Sequence, residues 1–254
     1  MIDPAAVFRL DGRVALITGA TRGIGRGIAE AYVAAGAAVA VLARKPDELA
    51  ETEAALTEQG GRVITIAGSA GDPEAIDTAV SRCVDELGRL DILVNNAAAN
   101  PAMGLIVDHE PTAVRKILEV NVEGPWLLAR GAWRAWMQEH GGAILNVASI
   151  GGIRPSQAIG SYNVSKAALI HLTRQLALEL APKVRVNAVA PGLVKTQFAR
   201  ALWEPDEEGV GARHPLRRIG VPDDIAPLAL FLVSEAASWI TGEVYRADGG
   251  SHLV

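Results

Sequence analysis

The sequence predicts an α/β fold: a single doubly wound parallel sheet with helices on both faces. Short runs that are apolar throughout recur at 13–18, 39–43, 62–67, 90–96, 143–149 and 184–191. Strands read this way, rather than apolar at every second residue, when helices cover both faces of their sheet. Between them lie longer segments with helical apolar spacing, and such alternation of strand and helix means parallel strands. The 254 residues, half of them apolar, suffice for one large core. No linker, low-complexity stretch or internal repeat divides them, so residues 1–254 are expected to form one domain.

Taken in order, RVALIT (13–18) is the first strand and runs into GATRGIG and then the helical segment GRGIAEAYVAAG. Gly19, Gly23 and Gly25 allow a tight turn and close backbone approach to a pyrophosphate, whose charge is favoured by the free amides and dipole of a helix start. The spacing G-x-x-x-G-x-G departs from the usual G-x-G-x-x-G, but the strand-to-helix context is the required one. The second strand ends at Ala43, Arg44 follows, and Asp47 and Glu48 fit the first turn of the next helix. After the third strand, IAGSAGD leads to a helix from Pro73 with Asp72 as its cap. That helix holds Cys83, expected to be half-buried; as the only cysteine it allows no internal disulfide. The fourth strand leads into NNAA, the fifth is read as AILNVAS ending at Ser149, and the sixth, VRVNAVAP, leads into PGLVKT. Two long helices are expected at roughly 111–138 and 161–181. The alternation breaks over 193–222, an expected substrate-loop insertion. There Phe198, Leu202 and Trp203 have the spacing of a lid helix, or of ordinary packing, before a helix opens near Pro222-Asp223-Asp224.

Tyr162 and Lys166 stand four apart and so project from one helix face. A phenol near pKa ~10 is a poor acid–base group at neutral pH, and an adjacent ammonium would lower it toward the working range. Ser149 could hydrogen-bond a substrate oxygen beside the tyrosine, or simply cap the following segment. Asn121 could steady a water or a backbone bend, or serve as a turn residue. In sheets of this kind ligands bind beyond the carboxyl ends of the strands, which is where GATRGIG, NNAA, Ser149 and PGLVKT all fall.

With TGATRGIG, NNAA, Asn121, Ser149, YNVSK and PGLVKT in this order, nearly the whole chain resembles a short-chain dehydrogenase/reductase. The resemblance implies a Rossmann-like fold and an enzyme that transfers a hydride between a nicotinamide cofactor and a carbonyl or secondary alcohol. It makes Tyr162 the general acid/base, Ser149 the group that positions the carbonyl oxygen, Lys166 a ligand of the nicotinamide ribose, and Asn121 the support of a proton-relay water. It places the cofactor on Gly19, Thr21, Arg22, Gly23, Ile24, Gly25 and Arg44. Further cofactor positions are Ser69, Ala70, Asn95, Ala97, Pro191, Gly192, Val194 and Thr196, together with Tyr162 and Lys166. The wording NNAAANP, PGLVKTQFARALW and ASWITGE is similar to NADP-dependent carbonyl and retinal reductases. Two departures stand out: Ala98 replaces the glycine of NNAG, where a close approach or positive φ is in question, and Ser69 stands where an aspartate commonly meets adenine.

An NAD site usually has a carboxylate at the end of the second strand, whereas this chain has Ala43 followed by Arg44, with Arg22 in the glycine loop. Two guanidiniums suit a 2′-phosphate, so NADP(H) is preferred and NAD(H) not excluded; as solvated surface residues they would imply nothing. A net charge of −5 with scattered cations gives no footprint for nucleic acid. No apolar run approaches the ~20 residues of a membrane helix. The start MIDPAAVFRLDGR lacks a signal-peptide pattern, and the final His-Leu-Val is not a peroxisomal address. A cytoplasmic protein with a small-molecule substrate and no metal is expected. Family members form homotetramers, and Trp126, Trp133 and Trp136 on the first long helix offer compatible apolar area. The alternatives are a 3-oxoacyl-[acyl-carrier-protein] reductase, with Arg130, Arg134, His140 and Lys183 as thin basic candidates, a glucose-type sugar dehydrogenase, and a non-catalytic NADP-binding sensor.

Overall fold

The computed structural model of the chain describes residue 3 and residues 5–253; Met1, Ile2, Pro4 and Val254, parts of the termini read above for targeting, lie outside it. Seven strands form one sheet: β1 (Val14–Thr18), β2 (Ala38–Ala43), β3 (Val63–Ala67), β4 (Ile92–Asn95), β5 (Gly142–Val147), β6 (Val184–Pro191) and β7 (Val244–Ala247). Their order is β3-β2-β1-β4-β5-β6-β7, every pairing parallel. The order reverses between β1 and β4, which opens a crevice beyond the carboxyl ends of those strands.

Both sheet faces are apolar, and the two-residue strand period sorts the side chains between them. Ala15, Ile17, Val39 and Val41 pack with α1 (Gly23–Ala34), α2 (Pro46–Glu58) and α9 (Ala226–Val233). Val14, Leu16, Ala40 and Leu42 pack on the other face with α3 (Pro73–Leu87), α5 (Gly124–Ala132) and α7 (Gly160–Leu180). Asp72 caps α3 as expected, accepting from the Glu74 amide at 3.2 Å. Cys83 lies wholly inside the second core rather than half-buried, because it shares the inward face of α3 with Ile76, Ala79 and Val80. Among the described residues no helix is long and apolar enough to cross a membrane.

Three elements differ from the sequence reading. β5 stops at Val147, so Ser149 lies past the strand as the cap of a 3-10 turn (Ile150–Gly152). The first long helix reaches His140 but is not uniform: α4 (Pro111–Leu118), α5 and α6 (Gln138–His140) are joined by π turns at Glu119–Glu123 and Trp133–Met137. The 193–222 segment holds no long lid helix; it is built from 3-10 turns (Arg200–Leu202, Glu204–Asp206) and the short α8 (Glu207–Ala212). Gly209 and Gly211 within α8 make a poor helix of that stretch.

The interior also carries polar ties. The Tyr32 hydroxyl, fully buried, donates to Ala229 O at 3.1 Å and joins α1 to α9. Asn95 Nδ2 donates to Asn146 Oδ1 (2.8 Å), Asn146 Nδ2 to Thr173 Oγ1 (2.9 Å), and Thr173 Oγ1 to Leu169 O (2.8 Å), a ladder from β4 through β5 to α7. Tyr32→Phe removes one buried hydrogen bond at constant shape and is expected to cost about 1 kcal/mol in urea unfolding; an unchanged midpoint would show that the hydroxyl ties nothing.

Candidate active site

The glycine loop follows β1. Gly19 (φ +66°) and Gly23 (φ +57°) take left-handed conformations that favour glycine, and Arg22 between them is the extended cap of α1. A side chain at Gly25 would collide with Asn96 Nδ2 and come within 2.5 Å of Gly19 O; one at Gly19 would stand 3.1 Å from Ala97 Cα. The loop therefore lies flat against the exit of β4. Asn96 holds it there: its Nδ2 donates to Thr18 O (2.8 Å) and Gly19 O (3.0 Å), while Thr18 Oγ1 accepts from the amides of Asn96 and Ala97, both at 3.0 Å. Sequence reasoning missed Asn96 and chose its neighbour. The Asn95 side chain faces the buried ladder instead, because in a strand adjacent residues point to opposite sides. The doubled asparagine at a strand exit was the available signal.

Around this cradle the expected cofactor residues divide. Thr21 and Arg22 reach across to α2, where Glu48 accepts from Thr21 Oγ1 (3.0 Å) and lies 3.6 Å from Arg22 Nη1. Arg44 is exposed and has no ion pair among the described residues. Ser69 Oγ accepts from the Gly71 amide (3.2 Å), and Ala70 O fills the space that a side chain at Gly124 would need. The Val194 side chain is buried in the core, and that of Ile24 packs partly against it. Gly192, next to Pro191, packs so closely on Asp248 that a Cβ would stand 2.7 Å from that residue's own. Thr196 Cγ2 lies 3.0 Å from where a Gly23 Cβ would be, so the loop after β6 abuts the start of α1. Ala98 is not among the positive-φ residues; its backbone is ordinary for alanine.

Ser149, Tyr162 and Lys166 meet on the other side of the crevice. A side chain at Gly151 would collide with Asn163 Oδ1, and one at Gly152 would come within 2.6 Å of Lys166 C, so the 3-10 turn sits directly on the first turns of α7. Ser149 Oγ accepts from the Gly151 amide at 3.1 Å and its hydroxyl hydrogen-bonds the Tyr162 phenol. Lys166, buried to 2% exposure, donates from Nζ to Val147 O (2.7 Å), and Nζ is 5.6 Å from the Tyr162 ring centroid. Phe198 from the 193–222 segment leans on the same ring, centroids 5.9 Å apart at 46°. Asn121 is fully buried in the first π turn: Oδ1 accepts from Ala99 N (2.8 Å), and Nδ2 donates to Ala99 O (3.0 Å) and to Ser165 Oγ (2.9 Å). Ser165 Oγ donates in turn to Tyr162 O at 2.7 Å. The Asn121 side chain is thus spent on the backbone, in line with the bend role, and touches the tyrosine only through Ser165.

Burial pushes the Tyr162 phenol up to about 12, with the Ser149 hydrogen bond opposing it, and burial draws Lys166 down to about 7. The expectation of a tyrosine lowered by its lysine is not met in the free protein. Burial disfavours the charged form of each group, and it outweighs the Ser149 hydrogen bond at the phenol. What the arrangement can do is present a hydroxyl pair to one oxygen, with an amine behind it.

A family model described as Enoyl-(Acyl carrier protein) reductase matches residues 19–252. Dehydrogenase/reductase SDR family member 4 of Sus scrofa is 41% identical over 245 residues, 95% of this chain and 88% of the relative. The chain belongs to the short-chain dehydrogenase/reductase family. It is an oxidoreductase of a family that binds nicotinamide cofactors. Among solved structures, a 7α-hydroxysteroid dehydrogenase complexed with NADH and 7-oxo glycochenodeoxycholic acid superposes with a TM-score of 0.93 at 34% identity, covering 98% of both chains. L-sorbose reductase from Gluconobacter frateurii, complexed with NADPH and L-sorbose, gives 0.91 at 34% identity over 96% of this chain and 98% of that one.

The cradle fits a nicotinamide dinucleotide, because its glycines leave the room that side chains would fill. Gly25→Ala forces Asn96 off the loop and is expected to weaken NADPH binding by about tenfold or more, in the range of a lost charge-assisted backbone site; fluorescence titration with unchanged affinity would remove the cradle from the cofactor site. Lys166 titrates near 7 when folded against ~10.4 unfolded. Between those values the unfolded chain binds more protons, so stability rises with pH across that window. Lys166→Met should abolish the rise; urea midpoints at about pH 7.5 and 9.5 that climb equally in both proteins would contradict the assignment.

Proposed function

We propose that this oxidoreductase transfers a hydride between NADP(H) and the carbonyl or secondary alcohol of an apolar, preferably aromatic, substrate. The observation that carries this is the meeting of Ser149, Tyr162 and Lys166 at the carboxyl edge of the sheet, across the crevice from the glycine cradle. When bound, the nicotinamide supplies or accepts the hydride. Ser149 and Tyr162 donate to the substrate oxygen; Tyr162 gives its proton in reduction and takes it back in oxidation. Lys166 holds its nitrogen behind the phenol and, through Val147 O, fixes α7 to the end of β5. Asn121 positions the segment around Ala99. Arg22 and Arg44, flanking the ribose end with Ala43 rather than an acid, support NADP(H).

The 193–222 segment acts as the substrate loop. Phe198, 52% exposed, leans on Tyr162, Ile106 lies against Gly160 at the start of α7, and both Ile106 and Ile153, the latter just after the Ser149 turn, are exposed. Such a mouth suits an apolar ketone better than a sugar, whose hydroxyls would be left unpaired there. The carrier-protein alternative is weakened at two of its four basic candidates, while Arg130 and Arg134 stay exposed on the first helical run. His140 and Lys183 flank the amino ends of β5 and β6, at the opposite edge of the sheet from Tyr162, and His140 is stacked on Trp136. A homotetramer is supported by Leu118 and Trp126 on the first helical run and Val164 and Leu178 on α7, all exposed; Trp133 and Trp136 pack against the subunit's own core instead.

Following reduced-nicotinamide absorbance with aromatic ketones, diketones, retinal, a ketosteroid, sugars and acetoacetyl thioesters should show NADPH-dependent reduction of the free apolar carbonyls. Tyr162→Phe should still bind NADPH and lose about 100-fold or more in kcat. Turnover of thioesters alone would favour the carrier-protein reductase, and silence throughout with intact NADPH binding would favour a sensor.

A further inference from the structure

One carboxylate stands where the proposed cofactor would bring a second anion. Glu48, in the first turn of α2, points back to the glycine loop: Oε1 accepts from Lys45 Nζ at 2.7 Å and faces Arg22 Nη1 at 3.6 Å, while Oε2 accepts from Thr21 Oγ1 at 3.0 Å. These contacts hold it in the ionised form, the Lys45 hydrogen bond first among them. It is 30% exposed and fixed between the glycine loop and the β2 exit, the two segments that flank the ribose end of a dinucleotide on this fold.

We propose that Glu48 sets the ratio of NADP(H) to NAD(H) binding by occupying Arg22 and Lys45 in the place a 2′-phosphate would claim. This rests on the NADP(H) reading of the ribose end. A phosphate monoester carries about −1.5 to −2 charges, more than the carboxylate, and so can displace it. The displaced carboxylate remains tethered to α2 within reach of the phosphate, and that like-charge contact is felt by NADP(H) alone. NAD(H) leaves the ion pairs intact. Arg44, unpaired among the described residues, is the cation available to the phosphate without exchange. Glu48 is therefore a specificity-determining residue that narrows a discrimination the arginines would otherwise make wider.

The test is a pair of fluorescence titrations, NADPH and NADH, on wild type and Glu48→Gln, with thermal melts to confirm folding. Glutamine keeps a partner for Thr21 and removes the charge. NADPH affinity is expected to rise about tenfold, about 1.4 kcal/mol, while NADH stays within about twofold, and added salt should shrink the difference between the proteins. Equal changes for both cofactors, or none, overturn the proposal; should Glu48→Gln not fold, the same ratio is read on Glu48→Ala. The two readings fail separately. Wild type binding NADH more tightly would sink the NADP(H) preference, yet a rise in the NADPH-to-NADH affinity ratio on substitution would still support the role of Glu48.

Discussion

The site depends on the seating of the Ser149–Gly152 turn against α7. Gly152 allows the turn to touch the helix backbone and Gly151 makes room for the Asn163 side chain, and Lys166, with its nitrogen buried, closes the contact by donating to Val147 O. An unpaired buried ammonium would be costly, and one hydrogen bond to a strand-end carbonyl meets only part of that cost. Lysine accordingly gives up part of its basicity instead. The same contact brings Ser149 to Tyr162, so the geometry of the two hydroxyls and the lowered basicity of the lysine have a single origin.

Topology supplies the other half. The strand order reverses between β1 and β4, and a crevice opens beyond their carboxyl ends, with the glycine cradle on one side and the Ser149–Tyr162 pair on the other. Asn96 couples the loops that follow these neighbouring strands by donating to Thr18 O and Gly19 O. The π turn that carries Asn121 performs a related service: its extra residue aims a side chain inward to pin Ala99 and reach Ser165 under the tyrosine. The glycine loop, the exit of β4 and the first turns of α7 are thus linked by asparagines more than by charges.

Much of this was legible in the sequence, for reasons of period and spacing. Buried parallel strands are continuous apolar runs, clustered glycines at a strand-to-helix turn mark a backbone that something must approach closely, and a four-residue interval puts Tyr162 and Lys166 on one helix face whatever the surroundings. What escaped depends on neighbours distant in sequence. Nothing local distinguishes Asn95 from Asn96; the pleat and the partner strand decide which one enters the ladder. Ser149 looked like the last residue of a strand because the apolar run continues through Ala148. Glu48 read as a helix-start acid, which it is, but its reach to Thr21 across 27 positions of chain has no local signature. The direction of the Tyr162 shift escaped for a similar reason. Adjacency suggests mutual stabilisation, and only burial shows that both charged forms are disfavoured.

Tyr162, as the proposed acid–base group, and Lys166, which seats its helix turn against the end of β5, are proposed to act as one unit, and a double-mutant cycle on kcat/KM separates this from two independent roles. Tyr162→Phe, Lys166→Met and the double variant are compared under one set of conditions, with NADPH and an aromatic ketone. The double variant is expected to be no slower than the worse single one, since removing either member already disables the unit. Losses that multiply in the double variant would mean two independent contributions, and would contradict it.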